Sequence, residues 1–470
     1  MQTLHTVILA AGQGKRMKSA QPKVLHRLGG RRLLDFVIDA AAGAGSDKIH
    51  VVYGHDGDRI RAAFPDATPD PALNIALNIA PNIAPNIDWV HQPARLGTGH
   101  AVGQAMPDIP DEAIVLVLYG DVPLVKPATL AQVIAKAGAH RIGLVTARSP
   151  DPTGYGRILR GSQGRVTGIM EENDAGPTQR AIDEINTGIM AVPAGRLRGW
   201  LGALTRDNTQ GEFYLTDIIA MAVREGIAVE TVMPQSIEEV LGVNDRIQLA
   251  QLERHHQQEQ ARALMAAGVT LKDPARFDVR GEVTTGRDVT IDINVILEGK
   301  VVIGDDVTIG PNTIIRDTEI GAGTTIQANC VIEEAVVGAN CRIGPFSRLR
   351  PGAHLADRVH VGNFVEIKKS QVGEGSKVNH LTYVGDARIG RGVNVGAGTV
   401  TCNYDGVNKH PTEIGDAVFI GSGTMLVAPV TIGAGGTIGA GSTITKDTPP
   451  DRLTVERSRQ TTFKAWKRGG

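Results

Sequence analysis

Cysteine, long apolar runs and an excess of either charge are scarce or missing in this chain of 470 residues. Its three cysteines, Cys330, Cys341 and Cys402, cannot all pair with one another and have no zinc-type spacing, so we expect reduced thiols in a cytoplasmic protein. No stretch reaches the ~18 apolar residues that span a membrane, and the first apolar run is too short for a signal peptide. We therefore expect neither membrane insertion nor a cleaved leader.

The charges nearly balance, because 49 lysines and arginines face 50 aspartates and glutamates. Without a basic excess, the composition does not favour a nucleic-acid partner. Aromatic residues make up only 4% of the chain whereas glycine occurs 57 times, an odd balance for a compact domain. The length itself is typical of about three domains.

The first half, up to about residue 240, alternates strand-like and helix-like runs. This alternation predicts a mostly parallel sheet with helices on its faces, and ligands of such sheets bind beyond the carboxyl ends of the strands. The predicted strands are 7–11, 49–53, 89–91, 114–118 and 143–147, and the predicted helices are 33–42 and 130–137.

A glycine-bearing, cation-rich loop follows the first predicted strand. Glycines let backbone N–H groups approach a ligand closely, and cations suit phosphate oxygens. Neither standard phosphate-binding pattern fits, since the third glycine of the dinucleotide pattern would fall at Met17 and the Walker spacing is absent. The loop therefore indicates a phosphate without identifying it. Its glycines and cations are Gly12, Gly14, Lys15, Arg16, Lys18 and Lys23.

Residues 245–267 contain helix formers throughout, and Gly268 is a natural stop signal. A helix of this length spans roughly 35 Å, and its polar composition indicates an arm between two domains. We expect His255 and His256 to be solvated positions on this arm.

The second half repeats an aliphatic residue every six positions, with occasional five-residue steps. This period predicts a parallel β-helix with three sides and 18 residues in each coil, and such a solenoid favours lateral association. The repeat breaks between Thr401 and Ile414, where we expect a loop. The predicted inward residues are 291, 297, 303, 309, 315, 320, 326, 332, 337, 343, 349, 355, 361, 367, 372, 378, 384, 389, 395, 414, 420, 426, 432, 438 and 444.

Residues 72–87 form a different, tandem four-residue repeat, ALNI-ALNI-APNI-APNI. Long surface insertions cost little free energy, so we interpret this segment as a duplicated loop without a function of its own.

The phase of the six-residue repeat brings two cations together. Arg350 and Lys368 each follow an inward residue and are 18 positions apart without a five-residue step, so we expect them on one side of adjacent coils, about 4.8 Å apart. Like charges at this distance repel, and a bound anion would remove the conflict. Two solvated cations that splay apart are the alternative. Ser422 and Ala440 are one coil apart in the same way, and their small side chains leave room for a slender ligand.

Taken in order, the motifs LAAGQGKRM, LGTGHA, YGDVPL, TGYGRI, EINTGI and GVNDR, followed by RLRPG, VGNFVEIKK, HLTY, GAGTVTCNYDG and GSGTMLVAPV, resemble the bacterial bifunctional enzymes of UDP-N-acetylglucosamine synthesis. These enzymes join a glucosamine-1-phosphate N-acetyltransferase to an N-acetylglucosamine-1-phosphate uridylyltransferase and feed peptidoglycan and lipopolysaccharide synthesis. The departures are the 72–87 insertion and Lys15, where a smaller residue is expected.

The resemblance implies an α/β Rossmann-like nucleotidyltransferase domain followed by a left-handed parallel β-helix of hexapeptide repeats. The implied segments are a uridylyltransferase domain at 1–243, a helical arm at 244–268, the acetyltransferase β-helix at 269–447 and a C-terminal tail at 448–470. The implied assembly is a homotrimer whose acetyl sites draw on neighbouring chains, and the loop between Thr401 and Ile414 is a candidate contribution.

For the first site, the resemblance implies that a sugar phosphate attacks the α-phosphorus of UTP. Arg16 and Lys23 would stabilise the developing charge, and Asp121 with Asn244 would hold Mg²⁺. The sequence alone would make Asn244 the N-cap of the arm helix instead. The nucleotide contacts implied are Leu9, Ala10, Ala11, Gly12, Gln92, Gly97, Thr98, Tyr119 and Gly120, and the contacts to the N-acetylated sugar are Gly156, Glu171 and Asn186.

For the second site, the resemblance makes His380 the general base that accepts a proton from the amine of glucosamine 1-phosphate, since histidine titrates near neutral pH. Arg350 and Lys368 would bind the phosphate, and Tyr383 and Asn394 would hold the sugar or the oxyanion. The implied contacts to acetyl-coenzyme A are Ala397, Asn403, Tyr404, Ser422, Ala440 and Arg457.

Two other interpretations remain open. The chain could be a sugar nucleotidylyltransferase whose β-helix serves only assembly or allosteric control, but a scaffold needs neither a histidine base nor paired cations. It could also be a non-enzymatic regulator of the same architecture, against which the intact loop with Arg16, Lys23 and Asp121 argues.

Overall fold

The computed structural model describes residues 2–54, 56–64, 86–464 and 466. Two compact units make up the chain, Met1–His256 and Gln257–Gly470. Most of the tandem repeat at 72–87 lies outside the described residues, so its interpretation as an insertion stays a prediction. Within the described ranges, no helix is both long and apolar enough to cross a bilayer.

The first unit is built on a sheet with the strand order β11-β7-β10-β6-β1-β4-β5, with β8 and β9 attached beside β10. The strands are β1 Leu4–Leu9, β2 Arg27–Leu28, β3 Arg31–Arg32, β4 Lys48–Tyr53, β5 Ile87–His91, β6 Ile114–Tyr119, β7 Arg141–Arg148, β8 Arg157–Arg160, β9 Val166–Met170, β10 Glu184–Pro193 and β11 Ala228–Val232. The helices are α1 Leu33–Gly43, α2 Gly57–Ala62, α3 Thr98–Ala105, α4 Pro127–Lys136, α5 Pro177–Arg180, α6 Ala194–Ala203, α7 Asp217–Arg224 and α8 Arg246–Ala266.

The predicted strands and helices exist, with ends that differ by a few residues. Continuous apolar runs such as that of β6 are buried because helices cover both faces of a parallel sheet. The sheet is parallel from β6 through β1 and β4 to β5, but β10 runs antiparallel to both β6 and β7. Sequence reasoning did not predict β10, because its EINTGI stretch was read as a binding motif and not as a buried strand.

Helix α8 matches the predicted arm, but two predictions about its residues are wrong. Asp245, not Asn244, caps the helix, since its Oδ1 accepts hydrogen bonds from the N–H groups of Ile247 and Gln248 at 2.9 Å. The Asn244 side chain is therefore available elsewhere. His255 and His256 are both partly buried instead of solvated, and the ring of His256 meets the edge of Phe36 with 5.4 Å between centroids.

The second unit is a parallel β-helix of three faces, as the six-residue period predicts. The first face carries β12 Thr270–Leu271, β14 Thr290–Ile291, β16 Thr308–Ile309, β18 Thr325–Ile326, β21 Arg342–Ile343, β28 Asn394–Val395, β31 Phe419–Ile420, β34 Thr437–Ile438 and β36 Leu453–Thr454. The second carries β19 Val331–Glu333, β22 Arg348–Leu349, β29 Val400–Cys402, β32 Met425–Val427 and β35 Thr443–Ile444. The third carries β20 Val336–Val337, β23 Ala353–Leu355, β25 Ser370–Val372, β27 Ala387–Ile389, β30 Thr412–Ile414 and β33 Val430–Ile432.

Five longer strands run around a corner between faces. They are β13 Phe277–Thr285, β15 Val295–Ile303, β17 Ile314–Ile320, β24 His360–Lys368 and β26 Lys377–Gly385. The predicted inward residues form one continuous buried stack. The predicted break is a loop between β29 and β30, in which Tyr404 and Lys409 form an antiparallel bridge. The three cysteines are unpaired, as predicted, and burial raises the pKa of the Cys330 and Cys341 thiols.

One corner of the β-helix places a left-handed residue in every coil. Toward the start of the unit this position holds asparagine, and toward its end it holds glycine. The residues are Asn294, Asn312 and Asn329, and then Gly398, Gly423 and Gly441. In the middle coils the same position holds Phe346, Phe364 and Leu381, with φ of 55°, 56° and 49°. Their side chains are about half or more exposed, and the two rings stack with 5.4 Å between centroids. We call Phe346, Phe364 and Leu381 the corner ridge.

Candidate active sites

The first candidate site lies at the carboxyl ends of β1 and β6. Beyond β1, the N–H of Ala10 donates to Val52 at 2.8 Å, and beyond β6 the N–H of Gly120 donates to Leu9 at 3.0 Å. These bonds keep Leu9 and Gly120 side by side, and Gly12 is open to solvent. Backbone groups of the nucleotide loop, residues 10–25, are therefore presented at the sheet edge where ligands of such folds bind.

Lys23 connects this loop to the two predicted metal ligands. Its ammonium forms an ion pair with the Asp121 carboxylate and lies 3.4 Å from Oδ1 of Asn244. Both ion-pair side chains are largely shielded, with 13% and 15% exposure. Gly14 permits this approach, because it has a φ of 59° and a Cβ there would lie 2.9 Å from Cβ of Lys23.

The oxygens around the Lys23 ammonium fit a hard divalent cation. A carboxylate and an amide carbonyl are the ligand types that Mg²⁺ prefers, and they already surround a positive charge. Among the described residues, no cluster of three or more His, Cys, Asp or Glu side chains could hold a metal. A cation at Asp121 and Asn244 would therefore complete its shell with phosphate oxygens and water.

Arg16 is exposed on a short turn, Lys15–Met17, of the same loop. Burial raises the pKa of the Tyr155 phenol, and the charge of Arg16 acts on that phenol in the opposite direction.

The predicted uracil contacts share one turn. Gln92 is buried, and its Nε2 lies 3.3 Å from the Gly97 carbonyl and 3.0 Å from Nδ1 of His100. Gly97 has a φ of 107°, and a Cβ there would lie 2.6 Å from the carbonyl of Phe213. Thr98 Oγ1 accepts a hydrogen bond from the N–H of Leu215. The backbone of residues 213–215 therefore packs directly against this turn.

The predicted sugar contacts also converge. A Cβ added at Gly156 would lie 3.5 Å from Cβ of Asn186 and 3.6 Å from Oε2 of Glu171. Burial raises the pKa of Glu171, although its Oε1 accepts a 2.8 Å hydrogen bond from Thr216. The Tyr119 ring leaves no room for a side chain at position 188, two residues after Asn186. We call Gly156, Glu171 and Asn186 the sugar pocket.

The second candidate site lies on β24 and β26 of the β-helix. Leu349 pairs with Ile367, so Arg350 and Lys368 are neighbours on adjacent coils, as the repeat phase predicts. Arg350 donates to Glu366 at 2.7 Å. The ammonium of Lys409, and after it the charge of Arg350, lower the pKa of Lys368. Sequence reasoning missed Lys409, because the loop that carries it breaks the repeat.

His380 is exposed and lies opposite Asn363 on the neighbouring coil. Its Nδ1 is 2.6 Å from Oδ1 of Asn363. An amide oxygen can only accept, so Nδ1 carries the proton and Nε2 is free to accept one. Sequence reasoning missed Asn363, although its place one coil before His380 was a usable signal.

Tyr383 lies between His380 and the two cations along β26. It pairs with Glu366 on β24, between the row of His380 and the row of Lys368. The phenol oxygen and Nδ2 of Asn403 both lie close to Gly385, which has no room for a side chain. Asn394 does not join this group within one chain, because it lies on the first face beside Lys377 and Phe419.

The small residues predicted to contact acetyl-coenzyme A form one column below His380. Gly398 N–H donates to His380, Gly423 N–H to Ala397 and Gly441 N–H to Ser422, so each position lies one coil from the next. Arg457 donates to the carbonyl of Ala440 at 2.8 Å and thus marks the far end of the column. Tyr404 is exposed, and its hydroxyl donates to Gly406 within the loop.

Comparison with known proteins agrees with this two-part architecture. Residues 6–271 match the model of the MobA-like NTP transferase domain, residues 279–361 match the GMPPB C-terminal domain, and residues 411–446 match the six-repeat bacterial transferase hexapeptide. The chain is 56% identical to the bifunctional protein GlmU of Methylococcus capsulatus, covering 98% of this chain and 96% of that protein. It is 54% identical to GlmU of Marinobacter nauticus, covering 100% of this chain and 99% of that protein. It is 53% identical to GlmU of Alkalilimnicola ehrlichii, covering 100% of this chain and 97% of that protein.

Proposed function

Because this chain belongs to the family of bifunctional GlmU proteins, we propose that its two units catalyse consecutive steps of UDP-N-acetylglucosamine synthesis. The chain is a bifunctional transferase with a nucleotidyltransferase half and a hexapeptide acyltransferase half. In the proposed sequence, the second unit acetylates glucosamine 1-phosphate with acetyl-coenzyme A. The first unit then transfers a uridylyl group from UTP to N-acetylglucosamine 1-phosphate and releases pyrophosphate. Since UTP and acetyl-coenzyme A are cytoplasmic metabolites, we place the enzyme in the cytoplasm.

In the uridylyl transfer, a phosphate oxygen of the sugar attacks the α-phosphorus of UTP, and the bond between that phosphorus and the β-phosphate bridge breaks. Asp121 and Asn244 would hold Mg²⁺, which neutralises phosphate charge when it is bound. Lys23, which contacts both of these side chains, would stabilise the charge on the phosphates together with Arg16. Gln92, Gly97 and Thr98 orient the base, and the sugar pocket holds the acceptor.

In the acetyl transfer, the amine of the sugar attacks the thioester carbonyl and coenzyme A leaves as the thiol. Nε2 of His380 accepts the proton that leaves the amine, since Asn363 holds the ring in the required tautomer. Arg350 and Lys368 bind the phosphate. The Arg350 guanidinium donates to Glu366, which pairs with Tyr383 on the neighbouring coil.

We propose a homotrimer because of the corner ridge. Bulky residues with positive φ cost roughly 1–2 kcal/mol each, and the ridge leaves apolar surface exposed that a second copy would bury. The ridge directly follows the column of His380, so a second copy packed on it would border the acetyl site. Such a copy would also supply Asn394, which is separated from the sugar-phosphate residues within one chain.

The observation that carries the proposed function is the presence, in one chain, of the Lys23–Asp121–Asn244 cluster and of the Arg350–Lys368 pair with His380. The test is an assay of the purified protein with acetyl-coenzyme A, glucosamine 1-phosphate, UTP and Mg²⁺, each omitted in turn. His380→Ala should abolish acetyl transfer and keep uridylyl transfer, and Asp121→Ala should do the reverse. Loss of both activities in either well-folded variant would contradict two separate sites.

The trimer is tested by Phe364→Asp and analytical ultracentrifugation. We expect dissociation together with loss of acetyl transfer, while uridylyl transfer persists. A trimer of unchanged mass in this variant would count against the ridge as the interface. Val336→Asp, a partly exposed apolar side chain on the third face, is the control.

A further inference from the structure

Arg157 is the largest fully buried side chain of the described residues, with 2% exposure. It lies on β8, directly after Gly156 of the sugar pocket. No feature of the nucleotide or acetyl sites uses it, and a buried guanidinium is rare because removing its charge from water is costly.

The guanidinium of Arg157 joins three backbone segments. Its Nη1 donates to the carbonyl of Tyr155 and lies 2.7 Å from the Glu172 carboxylate, and its Nη2 donates to the carbonyl of Arg180 at 3.4 Å. Tyr155 precedes Gly156, Glu172 follows Glu171, and Arg180 ends α5 on the segment that leads back to β10.

These three segments frame the sugar pocket. Arg157 pairs with Ile185 on β10, and the N–H of the next residue, Asn186, donates to the carbonyl of Gly156 at 2.7 Å. The Arg157 side chain thus contacts the neighbours of Gly156 and Glu171, and its backbone pairs with Ile185, the neighbour of Asn186. The Glu171 carboxylate itself is held only by Thr216 among its described partners.

Stability alone does not account for this cation. Over the described residues, Nε of Arg157 is a buried donor without a hydrogen-bond partner, and such a group costs free energy. A buried ion pair is often no more stable than apolar residues of the same volume. Arginine offers what an apolar residue cannot, a planar set of donors that fixes several oxygens at once.

We propose that Arg157 is a positioning residue that sets the geometry of Gly156, Glu171 and Asn186 and thereby the affinity for the sugar phosphate. This inference rests on the proposed assignment of those three residues to the sugar. It predicts a selective effect, because the turn that holds uracil is backed by Phe213–Leu215 and has no contact with Arg157 among the described interactions.

The test is steady-state kinetics of uridylyl transfer by Arg157→Met in the full-length enzyme. A displacement of about 1 Å in a binding group can cost 10²-fold, so we expect the KM for N-acetylglucosamine 1-phosphate to rise about 10- to 100-fold. The KM for UTP and the acetyl transfer of the same protein should stay within about twofold. Arg157→Lys, which keeps the charge but not the planar fork, should show an intermediate KM.

Arg198→Met is the matched control. Arg198 also contacts one carboxylate, Asp111, and two carbonyls, of Met106 and Ile109, but it lies on α6 away from the sugar pocket. An unchanged KM for the sugar phosphate in Arg157→Met, or an equal rise of both KM values, would overturn the inference. If Arg157→Met does not fold, Glu172→Gln replaces it, since Glu172 is 28% exposed. A selective rise of the same KM then supports the inference, and no rise overturns it.

A wrong assignment of the sugar pocket itself would give a different pattern of results. Glu171→Ala and Asn186→Ala probe the pocket directly. If neither changes the KM for the sugar phosphate, the assignment of the sugar pocket is wrong. If both raise it while Arg157→Met does not, the pocket stands and only the role of Arg157 is refuted.

Discussion

Acid should destabilise the first unit through His50, and His50→Gln should remove that sensitivity. His50 is fully buried on β4, and its Nε2 lies 3.1 Å from Nδ1 of His5 on β1. Burial, and then the neighbouring His5, lower the pKa of His50 to about 4, although Asp88 acts in the opposite direction. Burial also lowers the pKa of His5.

The sign follows from proton binding in the two states. Above pH 6.5 His50 is neutral in both states and its contribution to stability is complete. As the pH falls from 6.5 to 4, the unfolded chain binds a proton that the folded protein does not, so the free energy of unfolding decreases. The difference between these two pKa values corresponds to a loss of about 3 kcal/mol in the free energy of unfolding. Because Lys48 and Asp88 lie at the solvated rim, we expect about 2 kcal/mol.

The assay is urea unfolding at several pH values between 7.5 and 4.5, followed by tryptophan fluorescence. Trp89 lies on the strand beside β4 and Trp200 lies in the same unit, so the signal reports on it. The variant should lose about 2 kcal/mol less than the wild type across this range. His140→Gln, at an exposed position, should follow the wild type. Parallel pH profiles of wild type and His50→Gln would refute the reasoning.

Three further predictions concern the sites and the core. Asn363→Ala should lower kcat of acetyl transfer about 10-fold with little change in KM, because the His380 tautomer is no longer fixed. The assay measures release of the coenzyme A thiol, and an unchanged kcat would contradict this. Ile367→Ala, between Leu349 and Val384, should lower the free energy of unfolding by about 2–5 kcal/mol in circular dichroism, whereas the half-exposed Val336→Ala should cost less than about 1 kcal/mol. Lys23→Met should bind Mg²⁺ at least about 10-fold more tightly in calorimetry, since the competing ammonium is gone; equal or weaker binding would speak against the proposed metal position.

The β-helix was predictable in detail because a solenoid converts sequence spacing directly into spatial neighbourhood. Counting the six-residue period was enough to place Arg350 beside Lys368 and Ser422 beside Ala440. The same counting did not find Lys409, because the loop that carries it leaves the period.

The first site was less accessible from the sequence. Lys23 lies 98 positions from Asp121 and 221 from Asn244, and only the sheet topology brings them together. No local pattern encodes such contacts, so these residues were assigned by resemblance. Asn244 was also a reasonable helix cap by composition, and only the position of Asp245, one residue later, excludes that role. Arg157 carried no sequence signal, since burial of a charge depends on segments far along the chain.

The column below His380 fixes the distance between its two ends, because each coil adds a constant rise. From His380 to the Ala440 carbonyl that anchors Arg457, the chain advances three coils, or roughly 14 Å at 4.8 Å per coil. On the proposed assignment of this column to acetyl-coenzyme A, the span from His380 to Arg457 can change only in whole-coil steps. On that assignment, deleting or inserting one coil between Ser422 and Ala440 would change the span by about 4.8 Å.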